Sequence, residues 1–436
     1  MLIGLGSLYG ATTAWLDAHC TAMASPIGPP DLSKCGASHL PAGAVSTNCC
    51  PPPATKIIDF ELPYSSTPLR IRRAAHLPKL MRALPDDDPH SFKQQANVHC
   101  AYCNGAYDQV AAGFPKMDIY VHGSWLFLPF HRYYLYFHEK ILGSLIGDPT
   151  FALPFWNWDA PAGMELPSIF ANQGSSLYDK FRNAKHQPPY PLDLNYYLKS
   201  YNYNLVDTNL PSQQLYTNNL ATMYRQVVGA KTSMLFLGSP YRAGEVENPG
   251  AGTLEHVPRS SIHNWVGDRT QPNLEDMGDF YSAARDPIFY DHHANIDRIW
   301  TTWKKNLRYK YEEVNIPWLQ IKPVPPTAKK AKENISMKKA VGTTEFPILL
   351  DKAVQVLILI ISGIELHKGD PVKFDVFIND EDEVGPESTE FAGSFTNVTH
   401  KHGRKDKNMI RTKLELGITD ILEDLMLKMM KMFLLL

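Results

Sequence analysis

Apolar residues recur at helical spacing from Gly123 to Ile141, with Gly143 just past the end, and this pattern predicts a long amphipathic helix. Asp286-Pro287 marks a second start, since proline suits a first helical turn, and the pattern runs on through His293 to about Leu307. His76 to Leu84, Ser91 to Val110 and Asn219 to Gly229 also read as helical. The intervals are irregular: an aromatic loop from Phe151 to Ala162, a Pro/Asn/Tyr-rich stretch from Asn183 to Asn219, and a Gly/Pro-rich loop from Gly238 to Thr253. Short alternating pieces between Asp59 and His76 suggest strands or extended chain. Beyond residue 320 the character changes. Lys322 to Lys339 is rich in Pro and Lys and reads as a linker, and from Phe346 to Thr399 the pattern turns to β, with strands expected at Val354–Ile361, Val372–Ile378 and Phe391–Val398. Ile418 to Leu425 fits either a short strand or a helix. The apolar runs Leu2–Ala14 and Val354–Ile361 are both too short to span a membrane.

The 436 residues, 44% hydrophobic and 20% charged, have globular composition and enough length for two or three domains. A formal net charge of -2 gives no electrostatic reason to expect a nucleic-acid partner. The first 24 residues read as a truncated targeting remnant, with Ala22-Met23-Ala24 as a cleavage signature before Ser25. The Pro/Gly-rich stretch Ala24–Pro53 has little periodicity but carries Cys35, Cys49 and Cys50, while Cys100 and Cys103 flank Tyr102 beside His99. A segment with so little pattern needs staples, so disulfides from this region to Cys100 are expected, and with them an oxidising compartment.

The chemistry lies in two histidine clusters. His99, His122 and His131 form the first, and His263 with His292-His293 the second. Neutral imidazole is the commonest protein ligand for copper, zinc and iron, so two clusters suggest two metals. His293 and Asp297 stand one turn apart, so Asp297 can orient an imidazole or pair with Arg298 or another basic group. Arg259 occupies the position one turn before His263, where a third imidazole would complete the second set, and a guanidinium cannot ligate a cation.

The runs His122-Gly123-Ser124-Trp125-Leu126-Phe127-Leu128-Pro129-Phe130-His131-Arg132 and Asp286-Pro287-Ile288-Phe289-Tyr290-Asp291-His292-His293-Ala294-Asn295-Ile296-Asp297-Arg298 resemble the copper A and copper B signatures of the tyrosinase family. Asp31-Leu32-Ser33-Lys34-Cys35-Gly36, Asn48-Cys49-Cys50-Pro51-Pro52, Lys373-Phe374-Asp375-Val376 and Glu390-Phe391-Ala392-Gly393-Ser394-Phe395 narrow the resemblance to plant polyphenol oxidases. The resemblance implies a mainly α catalytic domain, an antiparallel helix bundle holding a di-copper site at 25–320, a linker at 321–345 and a β-sandwich-like shielding domain at 346–436. It implies two copper ions: copper A on His99, His122 and His131, copper B on His263 and His293, with His292 beside the site. It further implies a thioether from Cys103 to His122, disulfides Cys35–Cys50 and Cys49–Cys100, Glu255 as a water-positioning base, Phe280 as an aromatic gate, and Ser260 and Asn264 as residues that influence the acceptance of monophenols. Tyr309 and Tyr311 match a tyrosine motif that closes the catalytic domain, with Arg70 or Arg72 as partner.

The implied reaction is type-3 copper oxidation of o-diphenols to o-quinones, with reduction of O2 to water and some monophenol hydroxylation. The implied partners are small phenols, O2 and the chain's own C-terminal domain as a latency shield; the implied location is the thylakoid lumen of the chloroplast. Three departures accompany the resemblance. Arg259 stands where the family has histidine, a segment after copper B is missing between Trp303 and Tyr309, and the tail beyond Leu425 is unlike the family's end. On this reading copper A is complete and copper B is deficient, and the alternative function is that of an inactive relative that acts by binding. His256 is the nearest other imidazole, but it precedes Pro258, which marks a helix start.

Overall fold

The structure is a computed structural model. It describes residues 27–40, 43–52, 71–72, 80–110, 117–196, 210–303, 310–311, 313–319, 349–351, 356–378, 385–399 and 409–425. The expected targeting remnant, linker and tail lie outside these residues, as does Tyr309.

Helix α1 (Phe92–Cys103) starts at Ser91, whose side chain accepts from the Gln94 N–H and satisfies one orphan donor of the first turn. It is shorter than the expected Ser91–Val110. Helix α2 (Phe127–Ile146) runs through Gly143 and past the expected end. It stops at Gly147, where φ is +69 and the Asp148 N–H reaches back to the Gly143 carbonyl at 2.8 Å. The glycine that ends the helix is the one that adopts the left-handed conformation, not the earlier one. Helix α3 (Ser212–Met223) continues into a wide turn over Tyr224–Val228. Val257 is extended, so the helical run that leads into α4 (Ser261–Val266) begins at Pro258. A short α5 (Phe280–Ala283) precedes α6 (Ile288–Trp303), where the Asp286 carboxylate accepts from the Ile288 N–H at 3.0 Å.

Helices α2 and α6 pack against each other, and α1 packs on α5. One core fills the space between them and includes Phe127, Leu135, Trp158, Trp265, Ile288 and Phe289. The disulfides Cys35–Cys50 and Cys49–Cys100 fasten the irregular N-terminal segment to itself and to α1. A parallel pair of two-residue strands, β1 (Ile71–Arg72) and β2 (Lys310–Tyr311), closes the helical domain.

The C-terminal domain holds two antiparallel sheets. One has the order β3 (Leu349–Asp351), β4 (Val356–His367), β7 (Met409–Gly417), and the other pairs β5 (Lys373–Phe377) with β6 (Phe391–Thr396). A shared core of Leu366, Phe395, Ile410, Leu414 and Leu416 lies between them. The β4–β7 register shifts between Ile361 and Ile364, at Gly363 with φ +70. Residues 419–425 are helical, which settles the open choice there. The expected mainly α domain with a β-sandwich-like domain is therefore the architecture observed.

Asp297 does not orient an imidazole, as one expectation held. Its carboxylate receives Arg72 Nη1 at 2.8 Å, Arg132 Nε, and the Tyr311 hydroxyl. Arg298 turns instead to Asp159. Arg72 is thus the basic partner of the closing tyrosine, with Nη1 2.7 Å from the Tyr311 hydroxyl oxygen. Removing Asp297 takes a buried carboxylate from both Arg132 and Arg72 and leaves Arg72 with Glu139. Asp297→Ala is expected to lower the unfolding free energy by about 3–5 kcal/mol, measured by urea denaturation; a loss below about 1 kcal/mol would show that the pairing is expendable.

Candidate metal centre

The imidazoles arrive from five places. His99 comes from α1, His122 from the turn before α2, His131 from α2, His263 from α4, and His292 and His293 from α6. All six are buried. His131 is fixed by its Nδ1–H, which donates to the Phe127 carbonyl at 2.8 Å, and His263 likewise by the Met277 carbonyl at 2.7 Å. These bonds leave Nε2 of each ring as the acceptor that faces inward. Burial pushes the pKa of His99 down to about 3 and drives those of His131, His263, His292 and His293 well below the usual imidazole range, and the positive charge of Arg259 pushes the same way. The rings are held neutral, which is the form that ligates a metal.

Two donor groups form. Nitrogen atoms of His263, His292 and His293 lie within 4.8 Å of one another, and His263 Nε2 faces His293 Nε2 at 3.3 Å. Both ring nitrogens of His292 and Nδ1 of His293 have no protein partner. Two inward-facing imidazole nitrogens this close, with spare nitrogens around them, fit a copper or zinc ion. The other group gathers His99, Cys103 and His122 within the same distance, without His131. The His131 ring stacks on His293 instead, with centroids 4.1 Å apart and planes 6° apart. Cys103 is a buried free thiol.

Arg259 is 0% exposed and points into this cavity. Its Nη2 donates to His122 Nε2 at 3.0 Å, and its guanidinium carbon lies 5.0 Å from the Phe280 ring centre and 5.4 Å from that of Phe127. Its Nε and Nη1 have no partner, and burial lowers its pKa to about 10. His263, His292 and His293 converge without residue 259, while the guanidinium reaches His122 Nε2, a nitrogen that the resemblance assigns to copper A. The reason is length, because the arginine side chain outreaches a histidine from the same position and crosses the cavity.

Phe280 covers His122, with ring centres 4.1 Å apart. Glu255 Oε1 accepts from the Gly123 N–H at 3.0 Å, Oε2 has no partner, and burial lifts the carboxyl pKa to about 7 against the opposing pull of Arg259. Ser260 donates to the Glu255 carbonyl at 2.8 Å. Asn264 donates to the Asn397 carbonyl at 3.0 Å, and His256 Nδ1 donates to that of Thr396 at 3.1 Å, so both face the C-terminal domain rather than the imidazoles. The cavity beside Glu255 and Arg259 is closed by Phe395, Thr396, Asn397 and Val398. Sequence reasoning missed these four as site residues, and no local signal marks them, because only the docking of the two domains brings them there. Lys368 pairs with Glu247 at 2.6 Å along the same seam.

Such a cluster of buried imidazoles within a helical core is suited to holding metal ions, and the chain belongs to the tyrosinase family: residues 89–306 match the common central domain of tyrosinase. Residues 346–432 match the chloroplastic polyphenol oxidase C-terminal domain, which places the chain among the plant polyphenol oxidases, a group of oxidoreductases. It is 48% identical over 510 residues to a chloroplastic polyphenol oxidase of Malus domestica, covering 98% of this chain and 84% of that one. The alignment is longer than the 436 residues of this chain, so the relative carries segments that this chain lacks. The structure of latent apple tyrosinase superposes with a TM-score of 0.74 at 45% identity, over 85% of this chain and 94% of that one. A latent aurone synthase does so with 0.79 at 37% identity, over 92% and 93%.

A buried guanidinium with two unpaired donors is a stability cost, and Glu255 can be neutralised by protonation if Arg259 is lost. The copper-free Arg259→Met protein is therefore expected to be more stable than the copper-free wild type by about 1–4 kcal/mol in urea denaturation.

Proposed function

We propose that this chain oxidises o-diphenols to o-quinones in the thylakoid lumen of the chloroplast, consuming one O2 and releasing two waters for every two phenols oxidised. The observation that carries this reading is the gathering of six buried histidines in two neighbouring groups beside a buried carboxylate. Copper bound by these imidazoles would supply the redox chemistry, taking electrons from the phenol and passing them to O2. His263 and His293 would hold one ion, and His99, His122 and His131 are the residues available to a second.

The protein's own part is positioning and proton transfer. Glu255 serves as the acceptor of the phenolic proton: Oε1 is fixed by Gly123, Oε2 is left over, and a pKa of about 7 suits a base working near neutrality. Phe280 confines the phenol ring above His122, and a thioether from Cys103 would fix that imidazole. Asn264 donates an N–H to the Asn397 carbonyl and keeps Oδ1 without a partner, so that oxygen can help to orient a water. Relatives named for aurone synthesis and larreatricin hydroxylation support a phenolic substrate without selecting one.

The C-terminal domain acts as a shield. With it docked, the cavity holds about 50 Å³, well short of the roughly 150 Å³ that admits a benzene ring. The lumen assignment is supported by the chloroplastic relatives and by the two disulfides.

The test is O2 uptake and quinone absorbance with catechol, using copper-loaded protein before and after limited proteolysis in the 321–345 segment. Cleavage is expected to raise the rate at least about tenfold, equivalent to about 1.4 kcal/mol of barrier. Arg259→His should raise it by a similar factor or more. A cleaved, copper-loaded wild-type chain that takes up no O2 overturns the reading.

A further inference from the structure

We propose that this chain loads its two metal positions unequally. The first copper ion goes to His263, His293 and His292, and the guanidinium of Arg259 competes with the second ion for His122. The proposal rests on the di-copper reading above and reverses the order of the two sites that the sequence suggests.

Three observations carry it. The donor nitrogens of His263, His292 and His293 already lie together, with His263 Nε2 and His293 Nε2 3.3 Å apart. Among the described residues none occupies the nitrogens of His292, so this ring is available as the third donor that position 259 no longer supplies. At the other position, His122 Nε2 accepts from Arg259 Nη2 at 3.0 Å, and His131 is absent from the group formed by His99, Cys103 and His122. A second ion must therefore break a charge-assisted hydrogen bond and turn His131 away from its stack on His293. It must also approach a permanent positive charge in a buried cavity, where repulsion between like charges is poorly screened. The displaced guanidinium has a destination, since Glu255 Oε2 lacks a partner in the same cavity and the two side chains already interact. His292 thus becomes a metal-binding residue of this chain, and Arg259 an internal competitor for the second position.

The experiment is titration of copper-depleted full-length protein with Cu(II) alone, read by bound-metal analysis and by electron paramagnetic resonance, without substrate. The first equivalent is expected to give one unpaired spin per chain and to bind at least about tenfold more tightly than the second, the effect of a single hydrogen bond to a charged group. The first equivalent should survive His122→Ala, weaken at least about tenfold in His292→Gln, and be lost in His263→Ala. Arg259→Met, which removes the charge without adding a ligand, should tighten the second equivalent at least about tenfold. Two equally tight equivalents in the wild type, which needs no variant to fold, overturn the proposal. So does a first equivalent lost in His122→Ala but kept in His263→Ala, or an Arg259→Met protein whose second affinity is unchanged. Unequal loading without catechol turnover would reject the proposed reaction and leave this inference standing; equal loading with turnover would do the reverse.

Discussion

The buried carboxylate of Asp297 is the constraint on which the rest depends. It lies on α6 one turn beyond His293 and takes Arg132 from α2, one residue beyond His131. The two helices that bring the clusters face to face are therefore tied within a residue or a turn of their own imidazoles. Arg72 and Tyr311 add β1 and β2 to the same point, and Glu139 accepts from Arg72 Nε at 2.6 Å. At the other end of α6, Asp286 pairs with Arg182. Each charge is buried and compensated, an arrangement that is expensive to break and so fixes the helices in one geometry.

Within that frame the cavity selects uncharged groups. Desolvation neutralises the imidazoles and moves Glu255 toward its neutral form, so everything suited to ligation is present without charge. Arg259 is the exception, since even with its pKa lowered to about 10 it remains a cation near neutrality. The ring faces of Phe127 and Phe280 and the His122 nitrogen soften the cost, as cation–π contacts and one hydrogen bond do, but two donors stay unpaired. A cation placed where a cation should bind is a competitor, and its effect falls where its side chain ends, not where its backbone begins.

That distinction explains what the sequence could reveal. Helices α1, α2 and α6 were legible from periodicity, caps and proline, and both histidine clusters stood out as residue types. Three strands of the C-terminal domain were legible from alternation. The reach of Arg259 was not, because spacing along a helix locates a Cα and not the tip of a long side chain. For Asp297 the sequence left an imidazole, Arg298 or another basic group open, and could not select among them because the partners come from residues 72, 132 and 311. The closure of the cavity by Phe395 to Val398 depends on domain docking and leaves no local pattern. The helix end at Gly147 instead of Gly143 shows that composition alone cannot tell which of two glycines turns left-handed.

Two of the three departures, the connection after α6 and Arg259, differ in physical kind. A segment missing after α6, as the resemblance implies, would shorten a connection, and the contact it must close, from Asp297 to Tyr311, spans 14 residues of sequence here. Loop-closure entropy changes slowly with length, so a shorter connection leaves the clamp intact and slightly less costly to form. The substitution at Arg259 lengthens one side chain and adds a charge inside a volume that cannot dilute it. The deletion is absorbed by the scaffold, whereas the substitution acts on the centre directly, because surface connections vary cheaply and buried charges do not. Fold and centre can therefore diverge in this chain: the frame holds six buried imidazoles, while one residue inside it sets a positive charge beside them.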